Sequence, residues 1–460
     1  MGRKMLRKVW KDKNTLKSCH IYQMLRAHSH GRHLSFHTPG HKIGQWDITE
    51  LSYSDNLSSP SGCIALAERD IAQILGSERS FILTDGSTSG ILSMLYAAKM
   101  QGARNVAMCA ASHKSVLNGC ALLGLTPMMY PQKKRNGIPV AYGGEELLAT
   151  YNELFSKADC IFLTSPDYYG NIEDFSTLRA YCDKTGKLLL VDGAHGGHLH
   201  FDRAVYAGAY ADLWVDGVHK NLPAFTQGAV VSARTKDLAE KLRAGVDIFR
   251  TTSPSYPIMA SVECAVKYPR NITLEQDVKA LVLENERLQS GGDWTKLCAV
   301  FGEKAFEVEK ALESEGIYPE FCDGNVIMFY LSPATRKKQF RVLQTRLKKL
   351  FEEYPLVKTD DHVCVEIQKN KEQGVHVLDE EKGVQRNPAP VVLETEWVEL
   401  AQTEGRICAA DCGLFPPCTP LIKAGERVEM DKIALLQKAN NVYGLDNGKM
   451  LVKKQEKEEN

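Results

Sequence analysis

Three short and almost wholly apolar runs constrain this chain most: Val106 to Cys109, Cys160 to Thr164, and Lys187 to Asp192. Each is of strand length and ends in a polar or turn residue. Helical stretches, Ile91 to Gln101 and Asp174 to Thr185, lie between them. Strands that are apolar on both faces and spaced by helices predict a mostly parallel sheet covered by helices on both sides. Ligands bind at the carboxyl ends of such strands, so polar side chains there carry the interest.

A chain of 460 residues is too long for one core. Residues 1–35 read as a helical lead-in, 36–295 as the large α/β domain and 296–445 as a smaller α+β domain. The last holds a charged helix, Arg336 to Glu353, and short strands at Val326 to Leu331 and Val391 to Leu393. Gln289 to Asp293 reads as a surface turn, and 446–460 as a frayed, charged tail.

Fifty-seven basic and 57 acidic residues cancel, so no global field draws in nucleic acid or an anionic membrane. The basic stretch Arg3 to Lys11 reads as a solvated helix face. No apolar run is long enough to span a bilayer, and no secretory h-region is present. Thirteen scattered cysteines then read as reduced thiols in a cytoplasmic protein. Cys408, Cys412 and Cys418 lack the spacing of a zinc knuckle.

The chemistry-bearing residues sit at strand ends. Asp192 closes the run Leu188 to Asp192, and Lys220 follows His219 after 28 positions. A strand-ending Asp followed by a His-Lys pair is what a pyridoxal-phosphate (PLP) site needs. The lysine amine forms a Schiff base with the cofactor aldehyde, and the carboxylate keeps the pyridine nitrogen protonated. Taken alone, Asp192 has a helix N-cap as its alternative reading, and Lys220 that of a solvated surface charge. About a hundred residues upstream, Gly86-Ser87-Thr88 opens a helix, where free N–H groups and hydroxyls suit a phosphate. His113 follows another strand end, where an imidazole can stack on a planar ring. Ala194 offers a small apolar surface to the other ring face. His219 either lowers the Lys220 proton affinity or contacts phosphate or substrate. His195, His198 and His200 lack the spacing of a helical metal pair, and no metal is expected.

In order along the chain, these segments resemble the short-chain bacterial ornithine/lysine/arginine decarboxylases, which are fold-type-I PLP enzymes. Phe36 to Lys42 looks like that family's N-terminal signature. Asp47 to Glu50, Asp55-Asn56-Leu57, Pro60-Ser61-Gly62, Gly86 to Thr88, His113 to Ser115, Thr164 to Gly170, Asp192 to His195, His219-Lys220 and Thr252 to Tyr256 continue it. The resemblance implies a seven-stranded, mostly parallel large domain with a smaller α+β domain. It implies PLP held by Gly86, Ser87, Thr88, His113, Asp192, Ala194, His195, His219 and Lys220. The catalytic residues would be Lys220, Asp192, His113 and His219, the substrate a basic amino acid, and the product a diamine or agmatine. A homodimer or higher even oligomer is implied, with 251–256 near the cofactor at the subunit interface.

Four positions depart from the family pattern. Gly217-Val218 replaces the usual Ser-Thr or Ser-Val, Asp85 a usual Asn, and Gly193 a common Glu. Phe415 to Pro420 replaces the usual C-terminal Tyr-Pro-Pro-Gly-Ile-Pro. The rival readings are an aminotransferase or carbon–sulfur lyase of the same fold type, with Arg406 as candidate for a substrate carboxylate, and a degenerate homologue without activity.

Overall fold

The computed structural model describes residues 13–42, 45–135, 137–356, 395–414, 420–439 and 441–454. Seven strands build the main sheet: β1 (Arg79–Leu83), β2 (Asn105–Cys109), β3 (Thr126–Tyr130), β4 (Cys160–Thr164), β5 (Leu188–Gly193), β6 (Leu213–Asp216) and β7 (Ala229–Ala233). Their order is β1-β7-β6-β5-β4-β2-β3. β3, β2, β4, β5 and β6 pair in parallel. β7 runs antiparallel to both β6 and β1. Six strands therefore point the same way and bring their carboxyl ends to one edge, as the alternating pattern predicted.

All the strands but β3, which is partly exposed, divide their side chains between two cores. Ile82, Ala107, Ile161, Leu189, Val191, Trp214 and Val230 pack on one face. Phe81, Val106, Met108, Phe162, Leu190, Val215 and Val231 pack on the other. Both alternating sets are buried, which is why the runs are apolar throughout. Helices α1 (Ser87–Met100) and α4 (Lys236–Phe249) cover the second face through Ile91, Met94, Leu95, Leu242 and Val246. The parity that buries Leu190 there also aims Asp192 at that face, beyond the last apolar residue. Two short helices complete the frame of the site: α2 (Lys114–Leu123) follows β2, and α3 (Val218–Asn221) follows β6.

The chain divides into two compact units, Met1–Val300 with Met328–Leu347, and Phe301–Ile327 with Lys348–Asn460. Met328–Leu347 thus belongs to the first unit although it follows Phe301–Ile327 in the chain. The second unit is α+β. It holds helices Ala305–Ser314 and Met430–Lys438 and two small three-stranded sheets. Lys449–Lys453, expected as part of a frayed tail, pairs with Thr395–Glu399 as a strand. Met450 and Val452 alternate inward there, a period of two that the flanking charges hide. Arg3 to Lys11, Val391 to Leu393, Phe415 to Thr419 and 455–460 lie outside the described residues.

Asp216, the last residue of β6, is buried. Its Oδ2 accepts the Tyr206 hydroxyl at 2.7 Å. Burial pushes its carboxyl up to about 7, despite the opposing bonds from Tyr206 and Trp214. The folded protein thus holds a proton that the unfolded chain releases near its ordinary value of 3.8. This contribution to stability is full below that value and is lost as pH rises to about 7. Asp216→Asn mimics the protonated acid. Its unfolding free energy is expected to match the wild type near pH 4 and to exceed it at pH 8, by about 4 kcal/mol at most. Calorimetry at the two pH values checks this, and an equal difference at both would contradict it.

Candidate active site

The carboxyl edge of the sheet brings the expected residues together. Asp192 lies in register with Thr164 of β4 and Val215 of β6. It is 3% exposed, and its Oδ1 accepts the Ala194 N–H at 3.0 Å. Three residues on, His195 sits in the turn after β5 and meets Lys220 of α3, with Nε2 and Nζ 3.0 Å apart. The helix Val218–Asn221 is a single turn, set by the Lys220 N–H to Gly217 carbonyl bond and by the His219 N–H to Gly228 carbonyl bond.

The tautomer of His195 follows from its second partner. Its Nδ1 lies 3.2 Å from the Tyr330 hydroxyl, which also lies 3.0 Å from the Tyr168 carbonyl. A carbonyl can only accept, so the single hydroxyl proton goes to Tyr168. The hydroxyl oxygen must then accept from His195 Nδ1–H. That leaves a lone pair on Nε2 facing the Lys220 amine. Burial holds His195 well below the ordinary histidine range, and the charges of Lys220 and Lys296 add to this. His195 is a neutral acceptor there.

His113 caps α2. Its Nδ1 accepts the Ser115 N–H at 3.2 Å and pairs with the Ser115 hydroxyl at 2.7 Å. An N–H can only donate, so the ring proton is on Nε2. Burial lowers its proton affinity; Asp192 opposes this, while Lys220 and Lys114 reinforce it. The ring therefore lies close enough to both Asp192 and Lys220 to feel their charges. His219 is lowered by burial and by Lys220, against the Gly228 carbonyl that its Nδ1 contacts at 3.1 Å.

The Gly86 turn borders the same loop, since its N–H donates to the Gln227 carbonyl at 2.9 Å. Gly86 takes φ 85° and ψ 175°, a region open in practice only to glycine. A Cβ built there meets nothing within 4 Å, so the start of α1 opens onto free space. Ser87 is buried and Thr88 exposed. Asp85 is turned to other partners: its oxygens accept the Ser89 hydroxyl at 2.8 Å and the Thr251 N–H at 2.9 Å.

Among the described residues, the hydroxyls of Thr84, Ser112 and Thr164 are buried without a hydrogen-bond partner. All three lie at or just beyond carboxyl ends of strands, on β1, β2 and β4. Unpaired buried hydroxyls in native proteins call for a missing partner. A phosphate-bearing polar ring at this edge suits them, the open helix start, Asp192 and Lys220 together.

The other histidines of the run are engaged elsewhere. His198 Nε2 meets Asp293 Oδ1 at 2.8 Å, and His200 Nδ1 meets the Gly197 carbonyl at 2.7 Å. Arg406, the candidate for a substrate carboxylate, is paired with Glu396 and the Lys453 carbonyl in the second unit. Cys408 and Cys412 are buried there, and Cys418 is outside the described residues. The Asp55 segment has a scaffolding part. Its carboxylate accepts the N–H groups of Asn56, Ser61, Gly62 and Ile64 at 2.8–2.9 Å, opening helix Cys63–Leu75. Burial pushes this acid up, but those four bonds outweigh it and hold it below its ordinary value. Tyr256 then donates to the Asp55 carbonyl at 2.6 Å, which joins two of the recognised segments.

A sheet of this topology, with Asp192 and the His195–Lys220 pair at its carboxyl edge, is that of the fold-type-I PLP-dependent enzymes. Residues 45–294, more than half the chain, match the family model described as Orn/Lys/Arg decarboxylase, major domain. The chain belongs to this family. It is 27% identical over 482 residues to "Uncharacterized protein YaaO" of Bacillus subtilis (strain 168), spanning 95% of this chain and 97% of that one. It is 24% identical over 473 residues to the arginine decarboxylase of the same organism, spanning 91% and 93%. The solved structure of Escherichia coli constitutive lysine decarboxylase superposes with a TM-score of 0.67 at 16% identity, covering 95% of this chain and 82% of that one. That likeness shows the fold.

Proposed function

We propose that this protein is a short-chain PLP-dependent decarboxylase of a basic amino acid, lysine, ornithine or arginine. The observation that carries the reading is the 3.0 Å contact between Lys220 Nζ and a neutral His195, three residues from buried Asp192. The full-length similarity to an arginine decarboxylase supports the substrate class. When bound, PLP supplies an aromatic ring that draws off the electrons of a bond broken at the substrate's α-carbon.

The chain's residues divide the remaining work. Lys220 is the covalent anchor and carries a proton on Nζ toward the α-carbon after the carboxylate leaves as CO2. His195 orients that amine without adding a competing positive charge. The Asp192 carboxylate keeps the ring nitrogen protonated. His113 and Ala194 would flank the ring. Gly86, Ser87 and Thr88 at the start of α1 hold the phosphate, and His219 supports Lys220 from the same turn. Which bond at the substrate's α-carbon breaks would be selected by how the chain orients the substrate, and each 1.36 kcal/mol of orientational preference is about tenfold in rate. The reading includes a cytoplasmic location and a homodimer or higher even oligomer.

The test is product analysis. The protein loaded with PLP is incubated separately with L-arginine, L-lysine and L-ornithine, and CO2 and amines are measured. The reading expects agmatine, cadaverine or putrescine with matching CO2 from at least one. A keto acid without CO2 would make it an aminotransferase. Tight PLP binding with no turnover of any of the three would overturn the assignment.

A further inference from the structure

We infer that Lys296 is a positioning residue whose buried ammonium locks His195 as the Nδ1–H tautomer, with its Nε2 lone pair on Lys220. The inference rests on the reading of Lys220 given above. Lys296 and Asp293 are both fully buried, an arrangement that is costly unless every charge is met. The Lys296 ammonium is met on all sides. It lies 3.2 Å from Asp293 Oδ2 and 3.1 Å from the Thr295 hydroxyl. It lies 3.4 Å from the His195 carbonyl and 4.3 Å from the centre of the Tyr330 ring. With the Asn221 amide oriented to satisfy its neighbours, its oxygen accepts from Lys296 at 2.6 Å and its nitrogen donates to the His195 carbonyl at 2.7 Å.

These contacts converge on one pair. Asn221 is the residue after Lys220. The His195 carbonyl belongs to the imidazole that meets Lys220, and Tyr330 is the acceptor for that imidazole's Nδ1–H. One buried cation thus holds the backbone of His195, the neighbour of Lys220 and the ring of the tyrosine that sets the tautomer. Asp293 is in turn held by His198, which is buried. A positive charge beneath Tyr330 also opposes protonation of His195, which would otherwise turn its Nε2 into a donor and repel the Lys220 ammonium. The charged and titratable groups around His195 are Lys220 and His219 on α3, His113 at the start of α2, Tyr168 after β4, Tyr330, Lys296 with Asp293, and Asp192 on its own strand.

The experiment is histidine-selective 13C and 15N NMR of the full-length protein without cofactor, with His195 assigned by comparison with His195→Gln. In the wild type, His195 is expected to stay neutral from pH 8 to pH 5, with Nδ1 protonated and Nε2 bare. In Lys296→Met its apparent pKa is expected to rise by about one pH unit or more, and Nε2–H signals to appear. A wild-type His195 that titrates in that range, or that carries its proton on Nε2, would overturn the inference whether or not the variant folds. So would a folded Lys296→Met whose His195 is unchanged. Tyr330→Phe, which keeps the ammonium but removes the Nδ1 acceptor, is expected to populate the Nε2–H form, and an unchanged tautomer there counts against the inference. Absence of PLP binding would overturn the functional reading and leave these NMR outcomes intact, so the two failures are distinguishable.

Discussion

Lys220→Ala is expected to give a folded protein that binds PLP only reversibly and loses turnover by about 10³-fold or more. That loss combines the proton transfer and the covalent anchoring assigned to one amine. Stability changes little, because the side chain is half-buried and its contact with His195 is one hydrogen bond, a net contribution of about 1 kcal/mol. The visible absorbance of covalently held cofactor should vanish, and dialysis should strip PLP from the variant but not from the wild type. Lys220 is also the largest electrostatic contribution holding His195 neutral, after burial. His195 in Lys220→Ala should therefore take up a proton at higher pH than in the wild type. A variant that retains wild-type turnover would remove Lys220 from the chemistry altogether.

Gly217→Ser restores the residue usual among the relatives this chain resembles, yet it is expected to be the most disruptive small substitution in the site. A Cβ on Gly217 would lie 2.3 Å from the Ala194 carbonyl oxygen, 3.0 Å from its carbon and 3.1 Å from its Cα. All three are backbone atoms, so no flexible side chain can yield. The turn after β5 and the start of α3 must move apart by about 1 Å to regain ordinary contact, at a cost of about 3 kcal/mol. That movement separates His195 from Lys220, and misplacements of this size cost roughly 10²-fold in rate. Thermal unfolding and amine production, measured together, check both halves. A melting temperature and turnover equal to the wild type would show that the close approach of residues 194 and 217 is not real. The neighbouring departure has a related cause. The Cβ position of Gly193 lies 2.9 Å from the Val215 carbonyl and 3.3 Å from Asp216 Oδ1. A Glu at 193 would start beside a carboxyl that is already buried.

Much of this site was legible because it is local. Cys160–Thr164 is a strand with the bounds its apolar run predicts, and β2, β5 and α1 begin or end within a few residues of their expected limits. Asp192, Ala194, His195, His219 and Lys220 lie within one stretch of strand, turn and strand, so spacing alone could propose their meeting. Asp293, Lys296 and Tyr330 were not legible. Gln289 to Asp293 contains Ser290-Gly291-Gly292 and reads as a surface turn, but Asp293 is fully buried because its partner His198 lies 95 residues earlier. Local pattern reports propensity, and it cannot report a charge neutralised across that distance. Tyr330 read as an ordinary apolar strand residue; its hydroxyl becomes chemical only once Tyr168 and His195 are brought to it. A Lys three residues after an Asp at the end of a glycine turn was the one available signal, and it also describes countless solvated surface pairs.

The most direct test of the central claim is chemical. The protein is loaded with PLP, reduced with borohydride, digested, and its peptides are sequenced by mass spectrometry. The account predicts a phosphopyridoxyl group on Lys220 at close to one per chain, absent from the unreduced sample. The same group found instead on Lys114, Lys296 or another lysine, or on none, would contradict it.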